Sequence, residues 1–240
     1  RAIVNSATYQ QDSRLPSELL EKDPENLLLA RGPSRRLSAE QIRDLALAGS
    51  DLLEPTMGGP PVSPYQPGDL WTETNEMSPP YRQSTGKALH RRSLYSVWKR
   101  TAPLPNMSAF DATTREVCVV DRGRTNTPLQ ALVLLNDEQF VEAARALACA
   151  VAAEQSGLRE QLAEAFLRFA GRPADATELA LLEDVYNEQR SLFAAGKQDA
   201  AKFIAVGETE MEIRLAPVEL AALAATCQVI LNLDATIYER

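Results

Sequence analysis

The sequence predicts a mainly α fold: a helical bundle with a small two-stranded β element and a long Pro/Gly-rich loop. Three observations point that way. From about residue 127 to the end, apolar residues recur at helical spacing between ordinary cap and stop signals. Residues 54–80 hold seven prolines and three glycines, a composition that can neither continue a helix nor supply the middle of a sheet. Only two short runs, 94–99 and 117–120, have the branched or aromatic content of strands. With 240 residues and an apolar fraction of 45%, the chain can bury a substantial core. We read 1–240 as one module. Its sub-region 1–135 holds N-terminal helices, the loop and an Arg-rich centre, and 136–240 forms an acidic helical bundle.

Taken in order, residues 1–20 mix helix formers with Tyr9 and Pro16 and read as the end of a helix begun upstream. Asp23 and Pro24 pair an N-cap with proline at the first helical position, predicting a short helix through Leu27, Leu28 and Leu29 that stops near Gly32. Ser38 with Gln41 is a capping box; the helix it opens places Ile42, Leu45, Ala46, Gly49, Leu52 and Leu53 on one face. The 54–80 loop is expected to be anchored by Tyr65, Leu70 and Trp71 and looser at 58–61, where glycine offers no side chain to pack.

Residues 94–99 fit a strand, with Leu94, Ser96 and Trp98 on one side, or a helix clustering Leu94, Tyr95 and Trp98. The strand is preferred, paired with 117–120 in a small ribbon joined through Pro103, Pro105 and Phe110. Thr127, Pro128 and Gln130 repeat the helix-opening chemistry. Asn136 can cap a helix over 137–153, and a helix over 157–170 stops at Gly171 with Pro173 beyond it. Asp175 and Glu178 start a helix through Leu182 to about Ala195, with Gly196 as its stop. Pro217 opens a last helix, apolar around much of its circumference and so expected at the centre of the bundle.

The formal charge of -8 argues against nucleic acid as a partner, because phosphate backbones require a basic surface. Charge is unevenly spread: residues 31–124 carry thirteen Lys/Arg against ten Asp/Glu, whereas 125–240 carry nine against eighteen. No apolar run reaches the ~18 residues of a membrane span, and no signal-peptide pattern opens the chain. It begins at Arg1 and reads as a piece of something longer, so the missing signal says nothing about its address. Three scattered cysteines and one histidine make neither a zinc set nor a CxxCH. No cofactor is expected, and this chain alone is not expected to bind haem. Cys149 and Cys227 read as helical core thiols, and Cys118 as lying on a short strand.

Chemistry concentrates between Arg91 and Arg124, where seven Lys/Arg fall within 34 residues beside Asp111, Glu116 and Asp121. Guanidinium groups bind carboxylate, sulfate and phosphate through paired hydrogen bonds. The candidate ligand-binding residues are therefore Arg91, Arg92, Arg122 and Arg124, with Asn126 and Thr127 at a helix N-terminus. The plainer reading is weighed more heavily: the arginines pair with Asp111, Glu116, Asp121 and the acidic C-terminal helices, while Thr127 simply caps. Tyr65, Trp71, Tyr95, Trp98 and Phe110 could stack on sugars but read better as core. His90 has no nucleophile motif around it. Asp69, Glu73, Asp111 and Glu116 lie near the aromatics, but sequence spacing does not give the carboxyl separations that glycoside hydrolysis needs. No catalytic residue and no metal ligand is assigned.

Five blocks, DPENLLLARGPSRRLSAEQIRD, GGPPVSPYQPGDLW, RRSLYSVWKRTAPLPNMSAFDATTREVC, RTNTPLQALVLLNDEQFVEAARALA and VILNLDATIYER, occur in this order. Together they resemble the planctomycete secreted domain of unknown function found near the C-terminus of large planctomycete proteins, often with a c-type cytochrome domain upstream. Residues 1–13 resemble the middle of that domain, so the chain would be its C-terminal part. His90 and Gly123 depart from the family pattern. The resemblance implies an extracytoplasmic location and a role among other domains of a parent chain. The function expected is an interaction or scaffold module able to recognise anionic glycans through its Arg-rich centre. The alternative is part of a polysaccharide-degrading or polysaccharide-oxidising enzyme linked to a cytochrome domain.

Overall fold

The structure, a computed structural model, describes residues 1–13, 16–68, 70–74 and 79–239, without the side chains of Glu73 and Thr74. It is mainly α. In chain order the elements are α1 (Ser17–Lys22), β1 (Arg35–Arg36), α2 (Ala39–Gly49), α3 (Leu70–Thr74), two 3₁₀ turns (Gly86–His90 and Ser93–Tyr95), α4 (Pro105–Ala109), α5 (Pro128–Asn136) and α6 (Glu138–Glu154). There follow α7 (Leu158–Ala170), α8 (Ala176–Ala194), α9 (Ala200–Ile204), α10 (Pro217–Leu231), α11 (Asp234–Ile237) and β2 (Tyr238–Glu239).

The centre of the bundle is α10, buried over eleven of its fifteen residues. Its run of alanines removes side-chain bulk, so α6, α7, α8 and α9 can all pack against it, and an all-round apolar helix has no other stable place. Helix α6 contributes Phe140, Ala144, Leu147 and Val151 to the same core. Helix α2 lies outside this layer, against α6 and α7. Gly49 makes that contact possible: a Cβ there would stand 2.6 Å from the Phe169 ring of α7. Cap chemistry places the helix starts, with capping boxes at Ser38 and Asp175, and Gly171 ends α7 in the left-handed conformation (φ 69°).

The small β element lies elsewhere than the sequence predicts. Arg35–Arg36 pairs antiparallel with Tyr238–Glu239, bringing the end of the chain back onto the segment before α2. Residues 94 and 95 belong to the 3₁₀ turn that opens at Ser93, whose N–H and hydroxyl both donate to the Asp44 carboxylate at 2.7 Å. Beyond the turn the chain makes a single bridge, Ser96 with Val62. Residues 117–120 form no strand, and Val117, Val119 and Val120 are exposed. Strand propensity gives no stability without a neighbour to pair with. The helix expected after Asp23 is also replaced by turns. Asp23 accepts the N–H groups of Leu27 and Leu28, but positive φ at Asn26 and Leu29 stops a helix from propagating. Residues 2–10 likewise form turns rather than a helix end. Asn136 is the last residue of α5, and the cap of α6 is Asp137, whose carboxylate accepts the Gln139 N–H.

Loop 54–80 is anchored as expected at Tyr65, which is buried, and at Trp71, set edge-on to Tyr81. At 58–61, where looseness is expected, the backbone is held from outside the loop. Arg91 donates to the carbonyls of Thr56, Gly58 and Pro60, and the Gly58 N–H donates to the Tyr95 hydroxyl at 2.7 Å. A turn with no side chains to pack exposes its carbonyls, and a long guanidinium gathers them. Cys149 and Cys227 are buried in α6 and α10, whereas Cys118 is exposed and not on a strand; all three are free thiols.

Candidate functional site

Two buried arginines build the irregular face from which the site is made. Arg43, on α2, is fully enclosed. It donates from Nε to Gln139 at 2.6 Å, from Nη1 to the Arg91 carbonyl at 2.7 Å, and from Nη2 to the Leu89 carbonyl at 2.9 Å. Burial lowers its pKa to about 10, with Asp44 and Asp137 pulling the other way. Arg91 points inward, its guanidinium 3.9 Å from the centre of the Tyr95 ring and its donors on the loop carbonyls. Together they fix residues 86–95 between α2, α6 and the Pro-rich loop.

Pinned in this way, the segment shapes an open depression of about 700 Å³ against the first turns of α2. Arg92, Arg115 and Arg122 line it together with Glu40, Gln41 and Asp44. Arg122 forms a two-oxygen contact with Glu40 at 3.0 and 2.8 Å, and Arg92 stands 3.7 Å from Asp44. The Arg92 and Arg122 side chains are more than two-fifths exposed. Arg115 lies over the Trp98 ring at 4.9 Å and has a positive φ of 61°. Three cations thus face two carboxylates in one concavity.

Of the residues singled out from sequence, Arg92 and Arg122 come together here, and Arg115 joins them. Arg91 is turned inward. Arg124, Asn126 and Thr127 do not line the depression; they lie at the entrance to α5, where the Gln130 amide oxygen accepts the Thr127 N–H at 3.3 Å. Asp111 holds that entrance in place of an arginine pair, accepting the Thr125 N–H at 2.7 Å and its hydroxyl at 2.9 Å. Of the other carboxylates near the aromatics, Asp69 and the Glu73 side chain lie outside the described residues. Phe110 and Tyr65 are core, and Trp98 packs against it.

Sequence reasoning missed a buried polar junction. Glu142, in the middle of α6 and 0% exposed, accepts from His90 Nε2 at 2.9 Å, the Tyr65 hydroxyl at 3.0 Å and the Thr209 N–H at 2.8 Å. The Tyr65 hydroxyl in turn accepts the Glu208 N–H at 2.9 Å. Burial pushes the carboxyl up, but the hydrogen bonds from His90 and Thr209 outweigh it and hold Glu142 down at about 2. One signal was available: a Glu placed among Phe140, Val141, Ala143 and Ala144 requires partners. Their identity could not be read, because they lie 52, 77 and 67 residues away. Among the described residues no group of three or more His, Cys, Asp or Glu could hold a metal ion, and no helix is long and apolar enough to cross a membrane.

Residues 1–186 match the family model described as PSD1, protein of unknown function (DUF1553). The match ends within α8, short of the VILNLDATIYER block. No curated protein and no solved structure matches the chain.

Proposed function

We propose, for a chain that belongs to the PSD1 family of planctomycete domains of unknown function (DUF1553), the role of an interaction module in an extracytoplasmic, multidomain protein. Its partners in this reading are other domains of the parent chain and an anionic polysaccharide. One observation carries it: Arg92, Arg115 and Arg122 converge on one open depression, while the buried arginines beneath them are engaged within the chain. Exposed guanidinium groups suit sulfate or carboxylate groups. The pinned 86–95 segment under Arg92, with Trp98 under Arg115 and Glu40 against Arg122, lowers the ordering cost that binding would otherwise carry. Glu40 and Asp44 set the selectivity. An incoming anion must compete with them, so a polymer offering several groups is favoured over a single free ion.

The test is titration of a sulfated or uronate-rich oligosaccharide at low and high salt. A charge-assisted contact contributes about 1.5 to 3 kcal/mol, so Arg122→Ala and Arg115→Ala are each expected to weaken binding by at least about tenfold. Salt is expected to weaken the wild type. Absence of salt-sensitive binding in the wild type, with variants that only melt earlier, would return these arginines to a purely structural role.

A further inference from the structure

Arg36, in β1, is 7% exposed. Its guanidinium carbon lies 5.8 Å from the centre of the Phe110 ring and 5.9 Å from that of Tyr238, which faces it across the two-stranded sheet. Aromatic faces attract a cation through their π density, but they do not accept N–H groups as a carbonyl or carboxylate does. Nε and Nη1 are both buried without a hydrogen-bond partner. The Nε groups of Arg91 and Arg145 are also buried without a partner, but the other buried arginines all place their Nη groups on acceptors, Arg145 on the carbonyls of Ile204 and Thr209. Arg43 gives its donors to Gln139, Ser93 and the carbonyls of Leu89 and Arg91, and Arg91 gives Nη1 and Nη2 to three loop carbonyls. Buried polar groups are satisfied as a rule, and a buried cation lacking an acceptor is the costliest exception.

Asp111 follows Phe110, but its carboxylate holds Thr125 through both oxygens. The neighbouring Arg124 lies against β1, with Nη1 donating to the Arg36 carbonyl at 3.2 Å. Two guanidinium-bearing residues therefore meet at one strand, one of them buried with open donors and the other exposed. We propose that Arg36 anchors a second oxyanion site, with Arg124 as its outer cation, taking one carboxylate or sulfate group. The anion would accept the Arg36 N–H groups in the guanidinium plane while the two rings cover its faces. Neither Arg36 nor Arg124 lines the depression beside α2, so this site stands or falls separately from the function proposed above.

The test follows the Nε–H resonances of the arginines in isotope-labelled protein during titration with sodium sulfate, acetate or galacturonate, at constant ionic strength made up with chloride. The Arg36 resonance is expected to move and saturate with a Kd of about 10 mM or tighter, as a charge-assisted contact of about 3 kcal/mol allows. A response to acetate and galacturonate alone assigns a carboxylate ligand, and one to sulfate alone a sulfate ester. Arg36→Lys keeps the charge between the rings but loses the planar fork, and is expected to fold and to bind at least tenfold more weakly by the protein's thermal shift. Arg124→Ala is expected to weaken binding less. Arg122→Ala, which alters only the other depression, is expected to leave the Arg36 response unchanged. An Arg36 resonance unmoved by all three anions up to about 100 mM, or Arg36→Lys binding as tightly as the wild type, would overturn the proposal.

Discussion

Glu142 is the residue on which most separate parts of the chain depend, because one carboxylate satisfies a 3₁₀ turn through His90, the Pro-rich loop through Tyr65 and the 205–210 segment through Thr209. Its pKa of about 2 lies below the ordinary 4.5. Its contribution is therefore complete above about pH 4.5 and lost as pH falls towards 2, an effect of roughly 3 kcal/mol. Glu142→Gln is expected to lower stability at pH 7 by about that amount and to flatten the acid limb of a denaturation profile; an unchanged acid limb would count against this role. Asp137 behaves with the opposite sign. Burial raises it to about 6, although hydrogen bonds from Gln139 and Asn106 oppose the shift. The unfolded chain ionises first, so the native state loses stability between about pH 4 and 6. Asp137→Asn keeps a capping oxygen and is expected to gain roughly 1–3 kcal/mol above pH 6 and nothing below about pH 4, as chemical denaturation at both pH values would reveal. Gly207 sets a third constraint. At φ 92°, with a Cβ placed 2.5 Å from the Glu142 side chain, Gly207→Ala is expected to cost about 2 kcal/mol or more through strain and overpacking.

At the scale of elements, the Pro-rich loop is held by an arginine where a regular element would use a ladder of backbone bonds. Arg91 gathers carbonyls from Thr56, Gly58 and Pro60 while stacking on Tyr95. Arg91→Ala is therefore expected to free residues 56–61 selectively. Limited proteolysis should show new cleavage beside Gly58 and Gly59 with Tyr65 and α6 still protected, and stability should fall by about 1.5 to 3 kcal/mol. Cleavage spread evenly over the chain would mean that the arginine supports the core and not the loop. The helices follow a simpler logic. Apolar periodicity and cap residues announced α2, α5, α7, α8 and α10 with small errors at their ends, because a helix satisfies its backbone within itself. Strands need a partner elsewhere, and the two short ones that formed are joined across the length of the chain.

For the whole molecule, most ion pairs among the described residues form within the basic middle or within the acidic half and do not offset the uneven charge between them. Arg168 meets Asp51, Glu154 and Glu164 at 2.7–2.9 Å, tying the end of α2 to α6 and α7, and Arg122 crosses to Glu40. Arg168 thus neutralises carboxylates of its own acidic half together with Asp51, while the basic middle keeps Arg92, Arg115 and Arg122 around one concavity.

The sequence alone determined the mainly α class, most helix starts, the central place of α10 and the interest of the arginine-dense stretch, since all of these follow from local periodicity, cap chemistry and composition. It could not say which arginines turn inward. Arg91 and Arg92 are chain neighbours with opposite fates, decided by loop carbonyls some thirty residues away on one side and Asp44 on the other. It gave no sign that Arg36 would lie between Phe110 and Tyr238, or that Glu142 would collect three distant donors. Those outcomes belong to tertiary structure, because a buried polar group is satisfied by whatever the packing brings within about 3 Å, and nothing local in the chain encodes that neighbour.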